Sequence, residues 1–240
     1  MITGYKIEKN DNVVILTGAG VSAESGLNTF RGKNGYWEKY DVTELATYES
    51  FKNNPELVWK FYRTRIRKVL HAEPNIAHKT LSRMEYYYKD TFTLITQNVD
   101  DLHRRAGSRN IYKMHGDILK TKCIKCQSIY SVSEIELDRK IPLCNSCRGK
   151  LRPDVVWFGE TPKSVEKIQK SLMTADYLIL IGTSGTVYPA ASFVHIAKKN
   201  NARIIGINLE KPDNYRYIDE FHQGKAGELL PKLVNTWISK

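Results

Sequence analysis

Four short apolar runs divide the chain, at 12–17, 92–96, 177–181 and 203–207, and each ends in small or polar residues. The runs are continuous rather than alternating, which is the pattern of strands buried on both faces of a parallel sheet. Between them lie stretches with helical spacing. The clearest is 55–70, where Val58, Phe61, Tyr62, Ile66 and Val69 mark one face and Pro55 suits the first turn. Strands alternating with helices predict a doubly wound α/β sheet, and the 55–70 helix reads as an insertion between strands. No internal repeat or low-complexity tract interrupts this order.

At 240 residues the chain has room for one large domain and a small satellite. No apolar run approaches the roughly 18 residues that span a membrane, and the first residues do not form a signal segment. The expectation is a soluble cytoplasmic protein. Its net charge of +11 favours anionic partners such as a dinucleotide, acidic protein patches or nucleic acid, without choosing among them.

All four cysteines fall in two Cys-x-x-Cys pairs, Cys123/Cys126 and Cys144/Cys147, with 17 residues between the pairs. Two such knuckles complete a tetrahedral zinc site. Four thiolates leave no open position for water or substrate, so the expected metal braces a small ribbon and performs no chemistry. A pair of disulfides is the alternative, and an intracellular setting argues against it.

Gly18-x-Gly20-x-x-Ala23 directly after the first strand has the shape of a dinucleotide-binding turn, its glycines letting backbone approach a pyrophosphate and Ala23 permitting close helix packing. The usual acidic residue some 20 positions on is not evident, so an ordinary hydride-transfer dehydrogenase fits poorly. Polar residues also follow the other strands: Gln97-Asn98-Val99-Asp100, then Gly182-Thr183-Ser184, then Asn208-Leu209-Glu210. Ligands of open α/β sheets bind at such strand ends. His115, between the second strand and the first cysteine pair, can exchange a proton near neutral pH and is the candidate general base.

Together these residues resemble the sirtuin family, and within it the class III NAD-dependent protein deacylases of mitochondria and bacteria that prefer acidic acyl groups. The resemblance runs from Val13 to about Leu233 through Gly18-Ala-Gly-Val-Ser-Ala-Glu-Ser-Gly26, Thr29-Phe-Arg-Gly32, Gln97-Asn-Val-Asp100, His115-Gly116, both cysteine pairs, Val156-Trp-Phe-Gly-Glu160, Gly182-Thr-Ser184 and Asn208-Leu-Glu210. It implies a single catalytic unit with a Rossmann-like large domain from about 1–35, 79–118 and 152–240. The small domain would be a helical insertion, about 36–78, with the zinc ribbon, about 119–151.

For the cofactor, the resemblance implies a phosphate turn and loop from Gly18, Ala19, Gly20, Ala23, Glu24, Thr29, Phe30, Arg31, Tyr36 and Trp37. Gln97 and Asn98 would hold the nicotinamide ribose and a nearby water, beside Val99, with Asp100 on the carboxamide. Gly182, Thr183, Ser184, Asn208, Leu209 and Glu210 would line the adenosine half, and the backbone at Ala226 would close over adenine. An acyl-lysine peptide would add as a strand along Val156, Trp157, Phe158, Gly159 and Glu160, with Val187 and Tyr188 on its other side.

In the implied reaction the acyl oxygen displaces nicotinamide from NAD, which is consumed. His115, with Asn98 in the catalytic set, then draws a proton from the ribose hydroxyls, and the acyl group leaves on ADP-ribose. Tyr62 and Arg65, three apart on one helix face, form a receptor suited to a carboxylate. In similar sirtuins this pair grips succinyl- or malonyl-lysine, and Ala46 matches a position that makes room for the longer acyl chain. A general deacetylase, an ADP-ribosyltransferase and a nucleic-acid-binding zinc ribbon are the competing readings. The last leaves the glycine turn and the polar strand ends unexplained.

Overall fold

The computed structural model describes residues 6–29 and 41–238. Six strands, β1 (Val13–Thr17), β2 (Phe92–Thr96), β3 (Ile111–Lys113), β7 (Tyr177–Ile181), β8 (Arg203–Asn208) and β9 (Glu220–Gln223), form one sheet in the order β3-β2-β1-β7-β8-β9. Every pairing in it is parallel. β4 (Gly116–Cys123), β5 (Ile129–Ser131) and β6 (Leu151–Val155) make a second, antiparallel sheet with β4 in the middle.

The continuous apolar runs have the expected cause. Along β1, Val13 and Ile15 enter one core with the helices Ile76–Tyr88 and Ala226–Trp237, while Val14 and Leu16 enter the core on the opposite face with Val165–Met173 and Phe193–Lys199. With successive side chains alternating across a strand, an apolar residue is needed at every position when both faces are covered. β9 and β3 lie at the sheet edges, and their half-buried sequences carry no such run.

The predicted insertion helix runs Pro55–His71, with Pro55 in its first turn and the Asn54 side chain accepting from Leu57 N–H at 3.2 Å. Val58, Phe61, Tyr62, Ile66 and Val69 are all buried, together with Trp59 and Arg65. This face packs on the small sheet in a third core, and Trp59 Nε1 donates to the carbonyl of Leu151 at 2.9 Å. Each fully buried aliphatic side chain there stabilises the contact by about 1.5–3 kcal/mol. No described helix is long and apolar enough to cross a membrane.

Candidate active site

The strand order reverses between β1 and β7, where a crevice opens at the carboxyl ends of a doubly wound sheet. Two loops cross there at close range. Gly18 N–H donates to the Ile181 carbonyl and Gly20 N–H to that of Gly182, each at 2.9 Å. A Cβ on Gly18 would stand 2.6 Å from the Gly182 oxygen, and one on Gly20 would stand 2.7 Å from the Gly182 Cα. The glycine spacing of the turn is therefore required by the neighbouring strand end as well as by any ligand. Ala23, expected to allow close helix packing, is instead exposed. The four-residue helix Gly20–Ala23 turns Val21 and Ser22 inward, so the close approach falls on Gly20.

A buried polar network fills the space beneath. Asn98 Nδ2 donates to the Gly18 carbonyl and to Ser22 Oγ, each at 3.1 Å, and Ser22 Oγ donates to Asp100 Oδ2 at 3.0 Å. Burial raises the Asp100 carboxyl above the ordinary value, opposed by the Leu102 amide and the Ser22 hydroxyl. Thr17 Oγ1 bonds Thr96 Oγ1 at 2.8 Å and His103 Nε2 at 3.0 Å, and His78 Nε2 lies 3.4 Å from Ser22 Oγ. Ser22 lies within the Gly18–Gly26 motif with no role expected of it, and His78 and His103 carry no motif of their own. Lys113, half-buried, pairs with Asp117 at 2.8 Å and reaches the Val99 carbonyl at 3.3 Å.

On the β7 and β8 side, Gln97 Nε2 donates to Thr183 Oγ1 at 2.9 Å and Asn208 Nδ2 to the Thr183 carbonyl at 3.1 Å. Ser184 bonds Thr186 Oγ1 at 2.7 Å, and Leu209 and Glu210 are exposed beyond β8. Ala226 begins the last helix, and the Glu24 carboxylate accepts from the next amide, Gly227 N–H, at 2.7 Å. That contact ties the expected phosphate turn to the segment expected over adenine. Thr29 is half-buried, and Phe30, Arg31, Tyr36 and Trp37 lie outside the described residues.

His115 sits between β3 and β4. Its Nδ1 is 3.0 Å from the Gln97 carbonyl, an acceptor only, so the ring is held as the Nδ1–H tautomer with Nε2 free of a proton. Burial lowers its pKa below the ordinary 6.5, which keeps the base form at neutral pH. Gly116 follows with φ +88°, where a Cβ would meet the Asp154 carbonyl oxygen at 2.2 Å. Only glycine permits β4 to begin against β6 immediately after the histidine.

The substrate candidates meet on the same side. Val156 N–H donates to the His115 carbonyl at 2.8 Å and Phe158 N–H to the Ala46 carbonyl at 2.9 Å, which places Ala46, His115 and this segment side by side. Phe158 and Tyr188 are exposed, and the Val187 carbonyl accepts from Ala191 N–H. Gly159 has φ +87° with open space around it, in the turn where Glu160 N–H donates to the Trp157 carbonyl. Arg65 is only 8% exposed. It lines a cavity with Ala19, Ser22, Asn98, Val99 and Asp100, so the insertion helix reaches the polar network directly.

At the far end of β4 the four cysteine sulfurs lie within 4.8 Å of one another. Sγ separations of 3.5 Å for Cys123/Cys147 and 3.6 Å for Cys126/Cys144 fit the roughly 3.8 Å edge of a tetrahedron with ~2.3 Å zinc–sulfur bonds. Lys125 and Cys126 N–H groups point at Cys123 Sγ, at 3.4 and 3.5 Å, as a thiolate knuckle requires. Cys123 ends β4 and His115 immediately precedes it, so the eight residues of that strand separate this centre from the histidine. A structural zinc fits, and it is remote from the candidate base.

A model of the Sir2 family matches residues 18–189. The chain belongs to the Sir2 family. Over 235 residues it is 46% identical to the NAD-dependent protein deacylase of Pyrococcus furiosus, covering 95% of this chain and 94% of that protein. Its fold matches the crystal structure of a Sir2 homologue in complex with NAD at a TM-score of 0.85 and 43% identity, covering 93% and 88% of the two chains. A Sir2 structure with p53 peptide and NAD matches at a TM-score of 0.82 and 29% identity, covering 93% and 92%. The chain's own donor set suits NAD: neutral amides and hydroxyls of Gln97, Asn98, Thr183, Ser184 and Asn208, one buried carboxyl at Asp100, and glycines at the crossing. As a Sir2-family enzyme it takes NAD, and its cysteine cluster takes a structural zinc.

Proposed function

We propose that this NAD-dependent protein deacylase prefers lysine acyl groups that end in a carboxylate, succinyl and malonyl above acetyl, releasing nicotinamide and O-acyl-ADP-ribose. The observation that carries this reading is a guanidinium, Arg65, buried on the cavity that Asn98 and Asp100 line. A guanidinium presents a planar fork of donors that matches a carboxylate, so a carboxylate-tipped acyl chain entering that cavity meets a group built to bind its end. Tyr62, one turn away on the same helix, is buried with its phenol held protonated by burial, so it can donate beside the guanidinium. Ala46 leaves room where the peptide segment meets the helix.

NAD supplies the electrophilic ribose carbon and the acceptor for the acyl group. The chain's part is to orient and to move one proton. Asn98, fixed by Gly18 and Ser22, holds the reacting ribose; Asp100 faces the carboxamide; and His115 receives a hydroxyl proton on Nε2. Residues Val156 to Glu160, with Val187 and Tyr188, take the peptide as an added strand, giving affinity with little sequence preference. The reading divides the chain into a large domain of about 1–35, 79–118 and 152–240 and a small one of about 36–78 and 119–151, working in the cytoplasm. The separate core beneath the Pro55–His71 helix supports that division.

Arg65→Met tests the specificity. It removes a charge-assisted hydrogen bond worth about 1.5–3 kcal/mol from the succinyl substrate alone. Expected is a fall of about one to two orders of magnitude in kcat/KM on succinyl peptide, with no matching loss on acetyl peptide. Parallel losses on both peptides would make the helix a support of the fold and the protein a general deacetylase.

A further inference from the structure

Trp157 belongs to the segment assigned to the peptide and reaches the helix that carries Tyr62 and Arg65, with contacts on both sides. Its backbone N–H donates to Glu160 Oε2 at 2.8 Å. The Arg152 guanidinium lies 3.5 Å from the centre of its ring and is itself held by both Glu160 oxygens, Nη2 to Oε2 at 2.9 Å. Phe51 packs at the ring with centroids 5.4 Å apart. From this fixed position Trp157 Nε1 donates to the Tyr62 hydroxyl at 2.9 Å, and both side chains are buried.

That contact decides what the phenol can do. An indole N–H is a donor only, so the Tyr62 oxygen must accept from it. Conjugation keeps a phenolic hydrogen in the ring plane, where two positions exist; the indole takes one, and the hydrogen is steered to the other. Burial keeps that hydrogen in place at neutral pH. Donation into the oxygen also polarises the O–H bond and makes it a better donor, and the cation over the indole acts in the same direction on N–H. Arg65 lies beside the same phenol, its guanidinium carbon 5.5 Å from the Tyr62 ring centre.

We propose that Trp157 is a positioning residue for acyl specificity: its indole N–H sets the Tyr62 phenol as a donor to the acyl carboxylate. The Glu160–Arg152 clamp joins that setting to the peptide segment. The proposal rests on the acidic-acyl reading above and adds a residue 95 positions from Tyr62 in the chain to the specificity machinery.

The test measures kcat/KM on succinyl and acetyl peptides for wild type, Trp157→Phe, Tyr62→Phe and the double variant. Trp157→Phe is expected to lower the succinyl-to-acetyl ratio about threefold to tenfold, the effect of one neutral hydrogen bond, and to add nothing when Tyr62 is already Phe. Benzothienylalanine at position 157 keeps the ring and its stacking on Arg152 while replacing N–H by sulfur, and is expected to lower the ratio equally; it serves if Trp157→Phe does not fold. An unchanged ratio, or an equal drop in the Tyr62→Phe background, overturns the role of Trp157 while leaving the acidic-acyl reading intact. A wild-type ratio at or below one overturns that reading and the proposal with it.

Discussion

Acid should loosen this protein through two histidines beneath the active site. The His78 side chain is fully buried and His103 is 3% exposed, with ring centres 4.7 Å apart edge to face. Among the described residues, Nδ1 of each has no hydrogen-bond partner. Burial holds His78 down at about 4 against an ordinary 6.5. His103 is pushed well below 6.5 by burial first and then by His78 and Lys113. The unfolded chain takes up these protons near pH 6.5 and the native chain refuses them, so between about 6.5 and 4 the unfolded form binds more protons and stability falls with pH. For His78 the gap between 6.5 and about 4 corresponds to about 3 kcal/mol at ~1.4 kcal/mol per pH unit, of which about 2 kcal/mol is lost by pH 5. His103 adds loss of the same sign. Urea unfolding of the zinc-loaded protein from pH 7.5 to 5.0 reads this directly. In His78→Gln the amide can still meet Ser22 but does not titrate, so the decline should be shallower by about 2 kcal/mol over that range. Parallel curves for the two proteins would refute the assignment of His78 as a buried neutral histidine.

His115→Ala is expected to abolish acyl transfer while the circular dichroism spectrum and zinc content stay unchanged, because the task proposed for the ring is proton removal rather than packing. In wild type, the acid limb of kcat/KM should have its midpoint below 6.5, since burial lowers the histidine and its base form survives to lower pH. Cys144→Ser should release zinc and lower Tm; retained zinc on elemental analysis with an unchanged Tm would contradict the structural role. Gly182→Ala should cost at least ~2 kcal/mol in urea unfolding, because φ is +62° and the new Cβ would meet Val21 N at 2.5 Å; a cost near zero would mean that the crossing loops separate easily.

What the sequence revealed and what it hid follow one physical division. β1, β2, β7 and β8 were legible because strands covered on both faces carry runs of apolar residues on both faces, and the Pro55–His71 helix because its buried face repeats at helical spacing. The cysteine pairs were legible because zinc geometry is encoded in local spacing. β3 and β9 were not, because an edge strand takes its conformation from the neighbour it pairs with and need not carry an apolar run. The same holds within the site. Tyr62 and Arg65 declare themselves as a pair three apart on one helix, yet what orients the Tyr62 phenol is Trp157, whose spacing from it encodes nothing. Gly18 and Gly20 read as a phosphate turn, but their steric necessity comes from Gly182 on a strand that is adjacent only after folding. Short-range chemistry can therefore be read as pattern. The contacts that aim it join segments far apart in sequence: Ser22 to Asp100, His103 to Thr17, and Trp157 to Tyr62. In this chain such contacts fix the orientation of the hydroxyl, carboxyl and phenol groups they join, so the arrangement of these groups is a property of tertiary packing more than of motifs.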